Sequence, residues 1–252
     1  MRERILDGRV AVITGASRGL GRAMALALGG AGARLALVAR DASRLDEVVR
    51  EAGASGMEAA AFPFDVSRED RVAALEKAVI ERFGTAGILI NNAGINVRRN
   101  LTDFTLEEWN RVIGTNLTGA FLMCRAIVPH MKGQGYGRII NMTSMMAHIS
   151  LPGRAAYSAS KAGLLGMTRA LALELAADGI TVVGISPGPF ATEMNGPLLN
   201  DPRVNEQFTS RIPVGHWGKV EDIGSLALYL CSDAASFLTG TDIVIDGGWM
   251  AQ

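Results

Sequence analysis

The stretch VAVITGASRGLGRAMALAL, residues 10–28, joins an aliphatic run to an apolar run of helix length through a turn that holds Gly15, Gly19 and Gly21. Val10–Ile13 is short and β-branched and reads as a buried strand, whereas Leu20–Gly29 carries the apolar spacing of a helix. A glycine turn between strand and helix lets backbone N–H groups approach a pyrophosphate, which then rests on the positive end of the helix dipole. The spacing is G-x-x-x-G-x-G rather than G-x-G-x-x-G. The alternative is a strand-to-helix turn that needs glycine for its own sake.

Outward from this turn, short aliphatic runs recur at Leu35–Val38, Glu58–Phe62, Ile88–Ile90, Arg138–Asn141, Thr181–Ile185 and Asp242–Ile245. Helices are expected over Arg68–Phe83, Thr118–Lys132, Ala155–Ala177 and Val220–Cys231, with others around Leu45 and Val48 and around Trp109 and Val112. Strands alternating with helices imply crossover units, hence an α/β chain with a mostly parallel sheet. The strand runs show little polar alternation, as strands covered on both faces do. Neither an internal repeat nor a low-complexity linker divides the 252 residues. Between Pro187 and Pro213, prolines, glycines and the amphiphilic interlude Met194–Phe208 break the rhythm and suggest a lid over a pocket at 187–213.

Lys plus Arg and Asp plus Glu number 25 each, so no electrostatic footprint for nucleic acid or an anionic membrane is expected and the ligand is expected to be small. Ala23–Ala39, the most apolar long stretch, contains three glycines and Arg34 and fails as a membrane span. Two cysteines, Cys124 and Cys231, make no disulfide framework, and the charged start MRERILDGRV lacks the apolar run of a secretory signal, so a cytoplasmic location is expected. His130, His148 and His216 show no metal-ligand spacing, and no metal is expected.

YSASK, residues 157–161, sets a phenol and an ammonium four positions apart. On a helix their Cβ atoms lie about 5–6 Å apart on one face. A cation about 4 Å from the phenol, at an effective dielectric of about 20, is worth roughly 4 kcal/mol, enough to lower its pKa by up to about three units against opposing desolvation. Tyr157 would then act as general acid or base because Lys161 stabilises its phenolate. The alternative is an ordinary i,i+4 contact on a packed helix. Ser144 follows the strand RIINM, at the end where open α/β sheets bind ligands, and its hydroxyl suits a substrate oxygen. Thr143 is its neighbouring competitor.

Together, TGASRGLG, NNAG (Asn91–Gly94), Ser144, YSASK and the SPG of Ser186–Gly188 resemble the short-chain dehydrogenase/reductase family, in the right order and from Arg9 to the closing IDGGW. The resemblance implies a single-domain Rossmann fold over 1–252, doubly wound around a mostly seven-stranded parallel sheet. It also implies carbonyl–alcohol interconversion with a nicotinamide cofactor, commonly in a homotetramer, here through the helices at Leu117–Lys132 and Ala155–Ala177 with the tail near Trp249. It gives catalytic roles to Asn116, Ser144, Tyr157 and Lys161. Asn116 would kink its helix and link Lys161 to solvent through water, the alternative being an N-cap for that helix. The cofactor would meet Gly15, Ser17, Arg18, Gly19, Leu20 and Gly21 in the first turn, Arg40 beyond the second strand, and Asp65 and Val66 beyond the third. Asn92, Ala93 and Gly94 would follow, then Tyr157 and Lys161, and finally Pro187, Gly188 and Thr192.

An acidic residue about twenty positions past the glycines usually binds the 2′-hydroxyl of NAD, and Asp41 stands near that distance. Members that prefer NAD carry the acid at the last residue of the second strand, where this chain has Ala39, followed by Arg40. Arg18 and Arg40 would clamp a 2′-phosphate with planar forks, so NADP(H) is the expected cofactor, with NAD(H) the alternative and Asp41 near a helix N-cap. For Asp65 two roles stand open, holding the adenine amino group or capping the helix near Arg68.

Arg98 and Arg99 lie just beyond NNAG, where an arginine would clamp a substrate carboxylate; a solvated basic loop is the alternative. Met146, His148 and Arg154, with Ser144 and Tyr157, complete the expected substrate site. The stretches PFATEMNGPLLNDP and SRIPVGHWGKVEDI resemble gluconate 5-dehydrogenases, which implies a sugar acid as substrate. Reduction of 3-oxoacyl groups on an acyl carrier protein is the alternative. A dinucleotide-binding, redox-sensing protein without turnover is the alternative of another class.

Overall fold

The computed structural model describes residues 4–252, apart from the side chains of Met194, Pro197 and Leu198. The first three residues of the charged start, and the Met194 side chain that opens the Met194–Phe208 interlude, lie outside the described residues. Strands β1 (Val10–Thr14), β2 (Arg34–Ala39), β3 (Ala59–Pro63), β4 (Ile88–Asn91), β5 (Gly137–Met142), β6 (Ile180–Pro187) and β7 (Asp242–Ile245) form one sheet in the order β3-β2-β1-β4-β5-β6-β7. Every pairing is parallel. The helices are α1 (Gly19–Gly30), α2 (Ala42–Ala54), α3 (Glu69–Phe83), α4 (Leu106–Ile113), α5 (Gly119–Ile127), α6 (Ala155–Leu175), α7 (Gly196–Leu199), α8 (Pro202–Thr209) and α9 (Val220–Cys231).

Successive side chains of a strand point to opposite faces, and the core divides accordingly. Ala11 and Ile13 of β1 pack among Met24, Leu28, Leu45, Ile223 and Leu230, from α1, α2 and α9. Val10 and Val12 pack among Val72, Leu75, Val79 and Ile127, from α3 and α5. Helix layers therefore cover both faces, which explains why β1, β4 and β5 are buried throughout while the edge strands β3 and β7 are not. After β3 the chain returns to place β4 on the other side of β1. The connections that leave β1 and β4 lead to opposite faces of the sheet at that reversal, and an open α/β sheet binds its ligand in the crevice so formed.

The expected helix Thr118–Lys132 starts earlier and is not uniform. α4 enters through a capping box in which Thr105 Oγ1 accepts from the Glu108 amide and Glu108 accepts from the Thr105 amide. It then runs through a π turn at Gly114–Thr118 into α5. The run Leu106–His130 has the length and hydropathy of a membrane span, yet Leu122, Met123, Cys124 and Ile127 pack on the sheet as core residues. Between β6 and α9, α8 is held to the tail by an apolar contact through Phe208. Phe208 stacks on Trp217 with ring centroids 5.2 Å apart and meets Trp249 at 5.1 Å.

Candidate active site

The β1–α1 turn closes tightly because two of its glycines adopt left-handed backbone, Gly15 at φ +65° and Gly19 at φ +53°. A Cβ on Gly15 would stand 2.7 Å from Asn92 Nδ2, so the turn and the loop after β4 leave no room for a side chain between them. They brace each other. Asn92 Nδ2 donates to Thr14 O at 2.9 Å and Gly15 O at 3.1 Å, and Thr14 Oγ1 accepts from the amides of Asn92 and Ala93 at 2.9 and 3.0 Å. Arg18 at the N-cap of α1 makes no side-chain cap, which leaves the first-turn N–H groups free of a capping oxygen.

A cleft of about 540 Å³ opens beside this turn. Its walls include Gly15, Ser17, Arg18, Gly19, Leu20, Arg40, Asp65, Val66, Asn92, Ala93, Gly94, Pro187, Gly188 and Thr192, with Ser144, Tyr157 and Lys161 at one end. Gly21 is not on the wall. A Cβ there would meet Gly15 O at 2.3 Å, so it serves the packing of helix against turn. Asn91 closes β4 and faces the core, where its amide donates to Asn141 Oδ1 at 2.8 Å.

At that end of the cleft, α6 carries Tyr157 and Lys161, and β5 (Gly137–Met142) ends two residues before Ser144. Lys161 is buried, and its Nζ donates to Met142 O at 2.5 Å. Burial pushes the ammonium down to about 8. Nζ lies 5.6 Å from the centre of the Tyr157 ring. The expectation that Lys161 draws the phenol downward is corrected here: burial raises Tyr157 above its ordinary value in the ligand-free chain. Opposing that rise are the Ser144 hydrogen bond and the Arg154 guanidinium rather than Lys161. Desolvation of the phenol is the largest influence and prevails over both.

Asn116 sits in the π turn, buried, and does not cap a helix. Its Oδ1 accepts from the Ile95 amide at 2.8 Å, and its Nδ2 donates to Ile95 O and Ser160 Oγ, each at 3.0 Å. It thereby ties the loop after β4 to α6 one residue before Lys161.

At the other end, Asp41 caps α2 by accepting from the Arg44 amide at 3.2 Å, as its place after β2 suggests. Asp65 does not cap α3, whose N-cap is Arg68; its Oδ1 accepts from the backbone and hydroxyl of Ser67 at 2.9 and 2.7 Å. The guanidiniums at this end are engaged differently from one another. Arg18 Nη1 and Arg44 Nη1 both donate to Glu193 Oε2 at 2.9 Å, while Arg40 lines the same cleft without an acidic partner within ion-pair distance among the described residues. Sequence reasoning passed over Arg44 and Glu193. Arg44 stands four positions from Arg40 on the way into α2, a spacing that was available; Glu193 meets its partners across 175 and 149 residues and left no local signal.

The residues expected around the substrate are held in different ways. Met146 is buried with Met145, Ile212 and Trp249 in an apolar cluster against which Tyr157 packs. His148 lies off the cleft: its Nε2 bonds Asp242 Oδ2 at 2.6 Å, and Asp242 also accepts from Thr143 and Ser186 hydroxyls at 2.6 Å. Arg99 is neutralised by Glu108 at 2.7 Å, and its amide donates to Gly153 O at 3.2 Å, fastening the Arg98 loop to the turn before α6. Arg98 and Arg154 have no acidic partner within ion-pair distance among the described residues, and Arg154 Nη1 is buried without any hydrogen bond. Burial, then the Arg98 charge, hold the Arg154 guanidinium below its ordinary value, with Tyr157 opposing.

Residues 15–250 match the family model described as Enoyl-(Acyl carrier protein) reductase. The chain is 36% identical over 243 residues to gluconate 5-dehydrogenase of Gluconobacter oxydans, covering 96% of this chain and 95% of that protein. It is 41% identical over 245 residues to a 3-oxoacyl-[acyl-carrier-protein] reductase of Synechocystis sp., covering 96% and 97%. A solved gluconate 5-dehydrogenase of Burkholderia cenocepacia, in complex with NADP and tartrate, superposes with a TM-score of 0.94 at 34% identity, covering 99% of this chain and 98% of that one.

Proposed function

Because the chain belongs to the short-chain dehydrogenase/reductase family, whose members are oxidoreductases of alcohols and ketones, we propose that it interconverts a hydroxyl and a ketone on a sugar acid of the gluconate class, preferring NADP(H). The observation that supports the substrate is the pair Arg98 and Arg154: the charges of Arg98 and Tyr157 both act on Arg154, and neither guanidinium has an acid of its own among the described residues. A substrate carboxylate would supply the missing charge and accept the unused donors of Arg154.

The cleft's donors fit a dinucleotide. Uncapped N–H groups of α1 suit the pyrophosphate, Arg18, Arg40 and Arg44 suit a 2′-phosphate, and Lys161 and Asn92 with Gly94 line the inner end. Bound there, a nicotinamide supplies or receives the hydride. The chain's own part is the proton and the orientation. Tyr157 Oη gives its proton to the ketone oxygen in reduction and takes it from the hydroxyl in oxidation. Ser144 donates a hydrogen bond to the same oxygen as charge grows on it. Lys161, fixed by Met142 O, and Asn116, through the Ile95 loop and α6, hold that end of the site in place. The Met145–Met146–Ile212–Trp249 cluster keeps water from the Tyr157 side, and the segment 187–213 acts as the lid.

Replacing Arg98 with Ala tests the substrate. Loss of one charge-assisted contact, about 1.5–3 kcal/mol, should lower kcat/KM for gluconate by about 10- to 100-fold. Turnover of an uncharged ketone and the affinity for NADP+ should stay within about twofold. Equal losses on both substrates would refute the carboxylate clamp. The 41% identity to an acyl-carrier-protein reductase favours a second reading, in which Arg98 at the exposed rim docks an acidic carrier; a 3-oxoacyl carrier thioester reduced far faster than 5-ketogluconate would decide for it.

We also propose a homotetramer. Leu106, Trp109 and Phe121 on α4 and α5, and Leu173 on α6, expose large apolar side chains on the helices expected to pair. Light scattering should give about four chain masses, and a monomer would refute it.

A further inference from the structure

Glu193 stands at the start of the segment that follows β6, and its single Oε2 accepts from both Arg18 and Arg44 at 2.9 Å. The three side chains come from distant parts of the chain: the β1–α1 turn, the first turn of α2, and the stretch between β6 and α9. All three line the cleft where it passes the carboxyl end of β2. The two guanidiniums hold the Glu193 carboxyl below its ordinary value, Arg44 first and Arg18 next. A carboxylate thus occupies the donor forks that suit a phosphate of greater charge.

We propose that Glu193 is a specificity-determining residue that stands in for the 2′-phosphate and competes with it for Arg18 and Arg44. The inference rests on the NADP(H) reading above. A dinucleotide bearing a 2′-phosphate must break both contacts, and its charge then repels the freed carboxylate, releasing the Thr192–Asn195 turn from the β2 end of the cleft. A dinucleotide without that phosphate leaves the contacts intact. Glu193 therefore narrows the gap between NADP and NAD, and it links the position of the segment over the cleft to which of them is bound. All three side chains are about half exposed, so the competition is of moderate strength and weakens with salt.

Calorimetric titration of the ligand-free chain with NADP+ and, separately, NAD+ tests this without turnover. Glu193→Gln keeps the size and removes the charge. It should tighten NADP+ binding about three- to tenfold at low salt and leave the NAD+ Kd within about twofold, with the NADP+ gain shrinking in high salt. In an Arg18→Ala, Arg44→Ala background no ion pair is left to break, and the same Glu193 change should keep only the smaller gain from removing a carboxylate that repels the 2′-phosphate. The NADP(H) reading has its own test, since the unaltered chain must bind NADP+ more tightly than NAD+, and the two arginine replacements must shrink that difference to what Arg40 alone supplies. An unaltered chain that favours NAD+ refutes that reading alone. Glu193→Gln that leaves the NADP+ Kd unchanged, weakens it, or shifts both cofactors alike overturns the competition.

Discussion

Replacing Tyr157 with Phe is expected to lower kcat about a thousandfold, within the range that a positioned acid or base contributes. The ring stays. Its packing against Met145, Met146 and Trp249 persists, so thermal stability and NADP+ affinity should change little. What disappears is one hydroxyl, the group placed to exchange a proton with the substrate oxygen. Ser144 remains, but it lies behind its own bond from the Met146 amide at 3.1 Å and has no base to relay through. A variant retaining a tenth or more of the parent kcat, with both cofactor and substrate saturating, would place the proton elsewhere.

Lys161→Met should be inactive and more stable. Turnover should fall by about two orders of magnitude or more, as the ammonium that lines the inner end of the cleft and would hold the dinucleotide and substrate in place there is lost. The stability effect follows from linkage. An unfolded lysine has its ordinary value of 10.5, whereas burial brings Lys161 to about 8 in the fold. Below about 8 both states carry the proton, and the whole desolvation penalty weighs on the folded chain. Between 8 and 10.5 the folded chain has released a proton that the unfolded chain keeps, so stability rises with pH through that window. At 1.36 kcal/mol per unit the penalty is about 3 kcal/mol, offset in the variant by about 1 kcal/mol for leaving Met142 O without its donor. Neutral-pH melting of the ligand-free variant should be higher by about 5 °C, and the gap should close as pH climbs toward 10.5. A variant that melts lower at neutral pH would show that Lys161 supports the fold rather than straining it.

Much of the architecture was legible because the chain alternates β-branched runs with amphipathic ones, and each strand of the sheet coincides within a residue or two with an aliphatic run. Val220–Cys231 was read at its observed bounds, and Asp41 at its cap. The π turn was not legible in the spacing, because Gly114–Thr118 continues the helical pattern on both sides; only the resemblance, which implies a kink at Asn116, pointed to an irregularity there. In the site, the motifs pointed to many of the side chains on the cleft wall, but not to Arg44 or Glu193, and not to how each is engaged. Long-range partners decide that. His148 is taken up by Asp242, 94 residues away, Arg99 is neutralised by Glu108, and Glu193 claims Arg18 and Arg44. The direction of the Tyr157 shift was likewise beyond a spacing argument, since it turns on how fully the phenol is desolvated.

The most direct measurement is the pH dependence of kcat for gluconate oxidation with saturating NADP+, in the parent chain and in Tyr157→Phe. If Tyr157 is the proton acceptor, the parent's rate climbs with pH along a single ionisation, the reverse reaction declines along the same one, and the residual rate of the variant lacks it. A variant that keeps the same ionisation, at whatever speed, would contradict the account.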